Sequence, residues 1–187
     1  MRLKKSRDSA AGFSLVEALI TLVVVGVGLL GLIKIQAAAV GNTQTSRVRS
    51  LIALQTESLV AAMHGNRGFW AVPNTAPATF SASGVAVTDS RGVLSAAVPS
   101  CPSASGNGCT PDKLAAYDLQ RWALSMNTHF PGYTAAGNCS TATTLPVSCN
   151  VTVTWVEKAI AVNANTASAA AAMQPSVQQS YTVYVQP

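Results

Sequence analysis

Glu17 is the one charged residue in an apolar run that extends from Phe13 to Ile33. A carboxylate in a lipid-facing helix costs roughly 2.5–3.5 kcal/mol on insertion scales, so a plain anchor gains nothing from it. Such a residue suits pairing with a cation in a dry interface, where an unpaired charge is costly. The bland reading is an acid that snorkels to the interface near the end of the span. Four cysteines, Cys101, Cys109, Cys139 and Cys149, could form two disulfides. Three pairings are possible. The local ones, Cys101–Cys109 and Cys139–Cys149, are favoured because each closes a short loop rich in Gly, Ser, Thr and Asn. The competing reading is buried thiols. Zinc ligation fits less well, since there is no Cys-x-x-Cys and neither His lies near a Cys at ligand spacing.

Other chemistry is sparse. His64 and His129 are isolated in sequence, and His64 reads as a complement to a helix C-terminal dipole. Asp89, Asp112 and Asp118 do not form a metal-binding loop. There is no phosphate loop and no dinucleotide fingerprint. With no catalytic constellation, the expectation is a protein that is not an enzyme and has no cofactor and no metal.

The elements that would position Glu17 are visible in the charge and hydropathy pattern. Hydrophobic residues make up 49% of the chain and charged residues 10%, against about 25% charged in an ordinary soluble domain. As a helix, Phe13 to Ile33 is roughly 30 Å long, one bilayer core. The formal net charge is +5. Arg2, Lys4, Lys5 and Arg7 precede the run, with only Asp8 opposing them. Basic residues beside a span favour the cytoplasmic side, so residues after Lys34 should lie beyond the membrane, where disulfides persist. Nothing basic and aromatic is interleaved downstream, so nucleic acid is not an expected partner.

A secretory signal has its small-residue cleavage site after the apolar run. Here Ala11-Gly12 comes before it. A cut after Gly12 would remove the basic cluster and keep the helix. Gly12-Phe13-Ser14-Leu15-Val16-Glu17, with this basic leader and unbroken apolar run, resembles the processing site of type IV prepilins and secretion pseudopilins. The resemblance implies that a prepilin peptidase cuts after Gly12 and that Phe13 becomes the N-methylated terminus. It also implies that Glu17 is a buried acid; a neighbouring subunit's Phe13 amino group would be its cation.

Later blocks are similar to the PilV family of minor pilins: His64-Gly65-Asn66-Arg67, Ala116-Tyr117-Asp118-Leu119, Trp122, Phe130-Pro131-Gly132 and the strand ending in Trp155. The resemblance implies a subunit that helps start a type IV pilus or sits near its tip. Implied partners are other minor and major pilins, the inner-membrane assembly machinery and membrane lipid. The head would be periplasmic before assembly and extracellular afterwards. The alternatives are a minor pseudopilin of type II secretion, which shares the N-terminal motif, and a membrane-anchored adhesion module. Departures from the pattern are Lys34 near the usual Pro, an Ala-rich insert and no simple two-residue hairpin turn.

The expected organisation is a leader (1–12), a hydrophobic helix (13–40), and an amphipathic continuation with a globular head (41–187). From Ser46 to Met63, Val48, Leu51, Ile52, Leu54, Leu59 and Met63 largely follow helical spacing. Gly65-Asn66 and Gly68 predict a stop. A loop is expected over Phe69–Ser83, with strands at Val85–Thr88 and Gly92–Val98. Thr110-Pro111-Asp112 reads as a helix start and Pro131-Gly132 as its end, with Trp122 in the core. Cys149–Val156 and Ser180–Gln186 alternate apolar and polar residues and read as antiparallel strands. Ala159–Gln179 reads as a loop or a short Ala-rich helix. The fold class is α+β and type IV pilin-like, with a long N-terminal helix on a small antiparallel sheet and one additional helix.

Overall fold

The computed structural model describes residues 14–97, 101, 108–140, 146–158 and 176–187. Helix α1 is Leu15–Gly65, α2 is Arg67–Trp70 and α3 is Pro111–His129. The strands are β1 (Thr79–Ser83), β2 (Ala86–Asp89), β3 (Thr134–Cys139), β4 (Cys149–Lys158) and β5 (Ser176–Val185). They form one antiparallel sheet in the order β2-β1-β3-β4-β5. The chain divides into two units, Met1–Thr43 and Gln44–Pro187. The α+β class, the apolar N-terminal helix, the additional helix and the small antiparallel sheet agree with the expected pilin-like fold.

In the second unit, one stripe of α1 enters the core through Ile52, Thr56, Leu59, Val60 and Met63. Leu51 and Leu54 are exposed, contrary to the sequence reading. Thr56 takes a core position because its hydroxyl donates to the Ile52 carbonyl at 2.8 Å, satisfying the group inside the helix. Helix α3 starts at Pro111, whose missing N–H is harmless in the first turn. It buries Ala115, Leu119, Trp122, Ala123 and Met126, and Trp122 is core as expected.

The sheet turns its other alternate residues inward. Val151, Val153 and Trp155 of β4 are buried, as are Phe80 and Ala82 of β1. Strands β4 and β5 pair antiparallel, as the alternation predicts. Strand β1 lies where a loop was expected, and β3 was missed. No strand forms over residues 92–97, which are turns and bends. The reason is Asp89: its carboxylate accepts the backbone N–H groups of Arg91, Val93, Leu94 and Ser95 and the Ser95 hydroxyl. That network coils the segment round one side chain.

Strands β1 and β2 are joined by Gly84 and Val85 alone, with Ser83 opposite Ala86. A two-residue hairpin turn is therefore present after all. Gly84 has φ +58°, which the first turn position requires and Gly supplies without strain. The Ala-rich residues 159–175 lie outside the described part, while Ser176–Gln179 belong to β5.

Candidate assembly site

Ser14 immediately precedes α1. Its carbonyl accepts the N–H groups of Glu17 at 3.0 Å and Ala18 at 3.2 Å. Glu17 thus stands in the first turn of α1, where a negative charge complements the helix dipole. Its side chain is exposed, and no described cation pairs with it. Gly12 and Phe13 lie outside the described residues.

Among the described residues of the first unit, none of the helix that carries Glu17 is buried. Leu15–Ile33 is apolar and 19 residues long, with no share buried. It spans about 28 Å, close to a bilayer core. Leu15, Val16, Leu22, Val27 and Leu30 are all more than half exposed. A Cβ placed on Gly26, Gly28 or Gly31 would meet nothing within 4 Å. Packing among the described residues therefore gives no reason for these glycines, each of which weakens a helix by about 1 kcal/mol relative to Ala. Such a surface is stable only against lipid or other apolar helices.

In the second unit, side chains fasten α1 to the rest of the head. Arg49 makes a two-pronged ion pair with Glu157 on β4, at 2.7 Å for the closest approach. Glu157 also accepts the Trp155 indole N–H at 2.9 Å. The Arg49 hydrogen bond, helped by Trp155 and opposed by burial, holds the Glu157 carboxyl below its usual range. Trp122 donates its indole N–H to the Gln55 carbonyl at 2.7 Å, and the buried Asn66 amide donates to the Pro111 carbonyl at 2.6 Å. Both join α1 or its end to α3. The Tyr133 hydroxyl reaches the carbonyls of Gly84 and Ala123, and burial pushes its pKa up to about 12.

The cysteines pair locally, Cys101 with Cys109 and Cys139 with Cys149. The second pair joins directly opposed positions of β3 and β4. The sequence marks the cysteines, Trp122, Trp155, Asn66 and Pro111 as residues, but of these contacts it indicates only the cysteine pairing. Asp89 carried a readable signal, since Asp before Ser-Arg-Gly favours a turn closed by its own carboxylate. Arg49 and Glu157, 108 positions apart, carried none. Among the described residues, no three His, Cys, Asp or Glu side chains gather as metal ligands.

The prokaryotic N-terminal methylation motif matches residues 7–33. The match takes in Gly12, Phe13, Glu17 and the exposed apolar run. No curated protein and no solved structure matches the chain. The N-terminal segment is thus of the type IV prepilin kind, with an apolar helix suited to membrane anchoring.

Proposed function

We propose that the chain is a minor pilin of a type IV pilus, made as a prepilin and polymerised through its N-terminal helix. Prepilin peptidase cuts after Gly12, Phe13 is methylated, and the head (41–187) is carried by the helix (13–40). The observation that carries this reading is the wholly exposed apolar segment Leu15–Ile33 with one acid in its first turn, inside a matched methylation motif. Membrane lipid covers such a helix before assembly, and neighbouring pilin helices cover it afterwards. Glu17 then meets the Phe13 amino group of the next subunit, which fixes axial register because an unpaired charge there is costly.

A PilV-type role, helping to start the pilus or sitting in its tip complex, is supported by the resembling blocks and their structural duties. Asn66 and Trp122 tie the end of α1 to α3. The inner membrane, with the head in the periplasm, is the proposed site before assembly.

The intact mass and N-terminal peptide of the protein from its native cell test the proposal. A chain starting at Phe13 with one added methyl group is expected. A chain still starting at Met1 in cells with active peptidase would end it. Glu17→Gln should be processed normally yet enter pili poorly; incorporation equal to wild type removes the register role. Deleting the gene separates the two kinds of assembly, since a minor pilin affects pili and a minor pseudopilin affects secretion.

A further inference from the structure

Helices α1 and α3 run antiparallel in the head. The Asn66 amide meets the Pro111 carbonyl, and the Gln55 carbonyl meets the Trp122 indole N–H. The same offset puts Asp118 level with Leu59. A cleft of about 230 Å³ opens between the helices there, lined by Gln55, Ser58, Asp118, Arg121, Trp122 and Ser125 among others. Asp118 is half-buried in it. Among the described residues, no hydrogen bond or ion pair reaches its carboxylate. Burial alone pushes its pKa up. The cation nearest in sequence, Arg121, is held elsewhere: it donates to the Tyr117 hydroxyl at 3.1 Å and lies over the Tyr117 ring. A carboxylate that sheds water without gaining a partner is costly, so the cleft suits a cation that this head does not itself bring there.

One base of the chain shares that side of α1. Arg47, Leu51, Leu54 and Ser58 recur at helical spacing and form one stripe along the helix. All four are exposed, and Ser58 ends the stripe in the wall of the cleft. Arg47 has no partner among the described residues. It stands about 18 Å from the level of Asp118 along the helix axis, so the two do not meet within one head. Other bases fit less well. Arg49 and Arg91 are engaged, by Glu157 and by the Asn74 and Thr75 carbonyls. Arg67 lies beyond α1, and Lys113 lies in the first turn of α3, so neither is on the stripe.

We propose that Arg47 of a second, parallel copy enters the Asp118 cleft. Sliding one copy along α1 by about 18 Å brings the stripe of one head to the cleft of the next and pairs both charges. The contact joins two different patches, so it is heterologous. Repeated from copy to copy with an axial shift, it does not close on itself and yields a filament rather than a dimer. Leu51 and Leu54 on the stripe, and Leu124 one turn after Arg121, are exposed and give the charge pair apolar surroundings. The inference rests on the reading that the chain polymerises in parallel through its N-terminal helix.

The test is cross-linking in the native cell. The chain carrying both Arg47→Cys and Asp118→Cys is expressed there and treated with a short bismaleimide. A ladder at multiples of the chain's mass is expected. Each single variant should stay monomeric, because the native cysteines are already paired. No ladder from the double variant overturns the proposal, as does an equal ladder when Arg67→Cys replaces Arg47→Cys. Charge reversal gives an independent readout. Arg47→Glu and Asp118→Lys should each cut the amount of chain in sheared filaments about tenfold. Co-expressing the two variants should restore it, since each supplies the charge that the other lacks. A mixture no better than either variant overturns the pairing. Melting temperatures close to wild type exclude misfolding as the cause. The N-terminal peptide of the same sample separates the two levels of the argument. A chain that starts at Phe13 and gives no ladder removes this interface alone; a chain that starts at Met1 and gives none removes polymerisation as well.

Discussion

Arg49 on α1 and Glu157 on β4 meet in a two-pronged ion pair although 108 residues separate them. The Glu157 carboxylate also receives the Trp155 indole N–H. One acid thus holds a helix and a buried aromatic ring of the sheet at once. Glu157→Ala should lower the melting temperature of the head more than Arg49→Ala does, because it also strands the Trp155 donor. Added salt should shrink the Arg49→Ala effect, as that guanidinium is solvent-accessible. Thermal melts of the two variants at low and high salt check both statements.

Acid should weaken the fold through two carboxylates. Glu157 is held below its usual range chiefly by Arg49. At Asp89 burial pushes upward, but the backbone donors of Val93, Ser95 and Arg91 and the Ser95 hydroxyl outweigh it. A carboxyl with a lowered folded pKa adds stability that is present above its unfolded pKa, near 4. That contribution is lost as pH falls through the folded value. Stability should therefore decline below about pH 4, and Glu157→Gln with Asp89→Asn should flatten that decline in denaturant melts across pH. An unchanged acid limb in the double variant contradicts the assignment.

Asp89→Asn by itself tests the coiled 91–95 segment. The amide keeps one acceptor oxygen and turns the other acceptor into a donor, so at least two backbone N–H groups lose their partner. The expected loss is about 1–2 kcal/mol, limited by water reaching the loop. Hydrogen exchange should rise at Arg91 and Val93 or at Leu94 and Ser95, the two pairs served by different carboxylate oxygens.

Gly137 sits opposite Phe80 in the β1–β3 pairing, and an added Cβ would overlap the Phe80 ring. That ring also packs edge-on against Trp70 at 5.6 Å between centroids, so it has little room to retreat. Gly137→Ala should cost about 1–3 kcal/mol. Gly26→Ala should leave the melting of the head unchanged, since nothing among the described residues comes within 4 Å of a Cβ there. Equal effects of the two substitutions would refute the packing account.

Replacing both Cys139 and Cys149 with Ser should destabilise the head by about 2–4 kcal/mol, as loss of a native disulfide commonly does. The bond joins β3 to β4 at the end of their pairing, so increased hydrogen exchange should begin there. A variant as stable as wild type would show that strand pairing alone closes this end.

Some of this protein is determined by sequence alone. The apolar run, its single acid and the preceding basic cluster need no partner elsewhere in the chain to be recognised, because hydropathy and charge act locally. The ends of α3 are likewise local, since Thr110-Pro111 and Pro131-Gly132 restrict the backbone where they stand. Strand β4 announces itself because its residues from Cys149 to Val156 alternate between buried and more exposed positions.

Tertiary structure decided the rest. Strands β1 and β3, TFSAS and TAAGNC, are rich in small residues and carry weak local preferences. They become strands because each supplies the other's hydrogen bonds and because Phe80 fills the space above Gly137. The face of α1 was settled in the same way. Spacing offered Leu51 and Leu54, but the packed head buries Thr56 and Val60 instead. The Arg49–Glu157 clamp exists only once distant segments are brought together, so no local pattern could announce it.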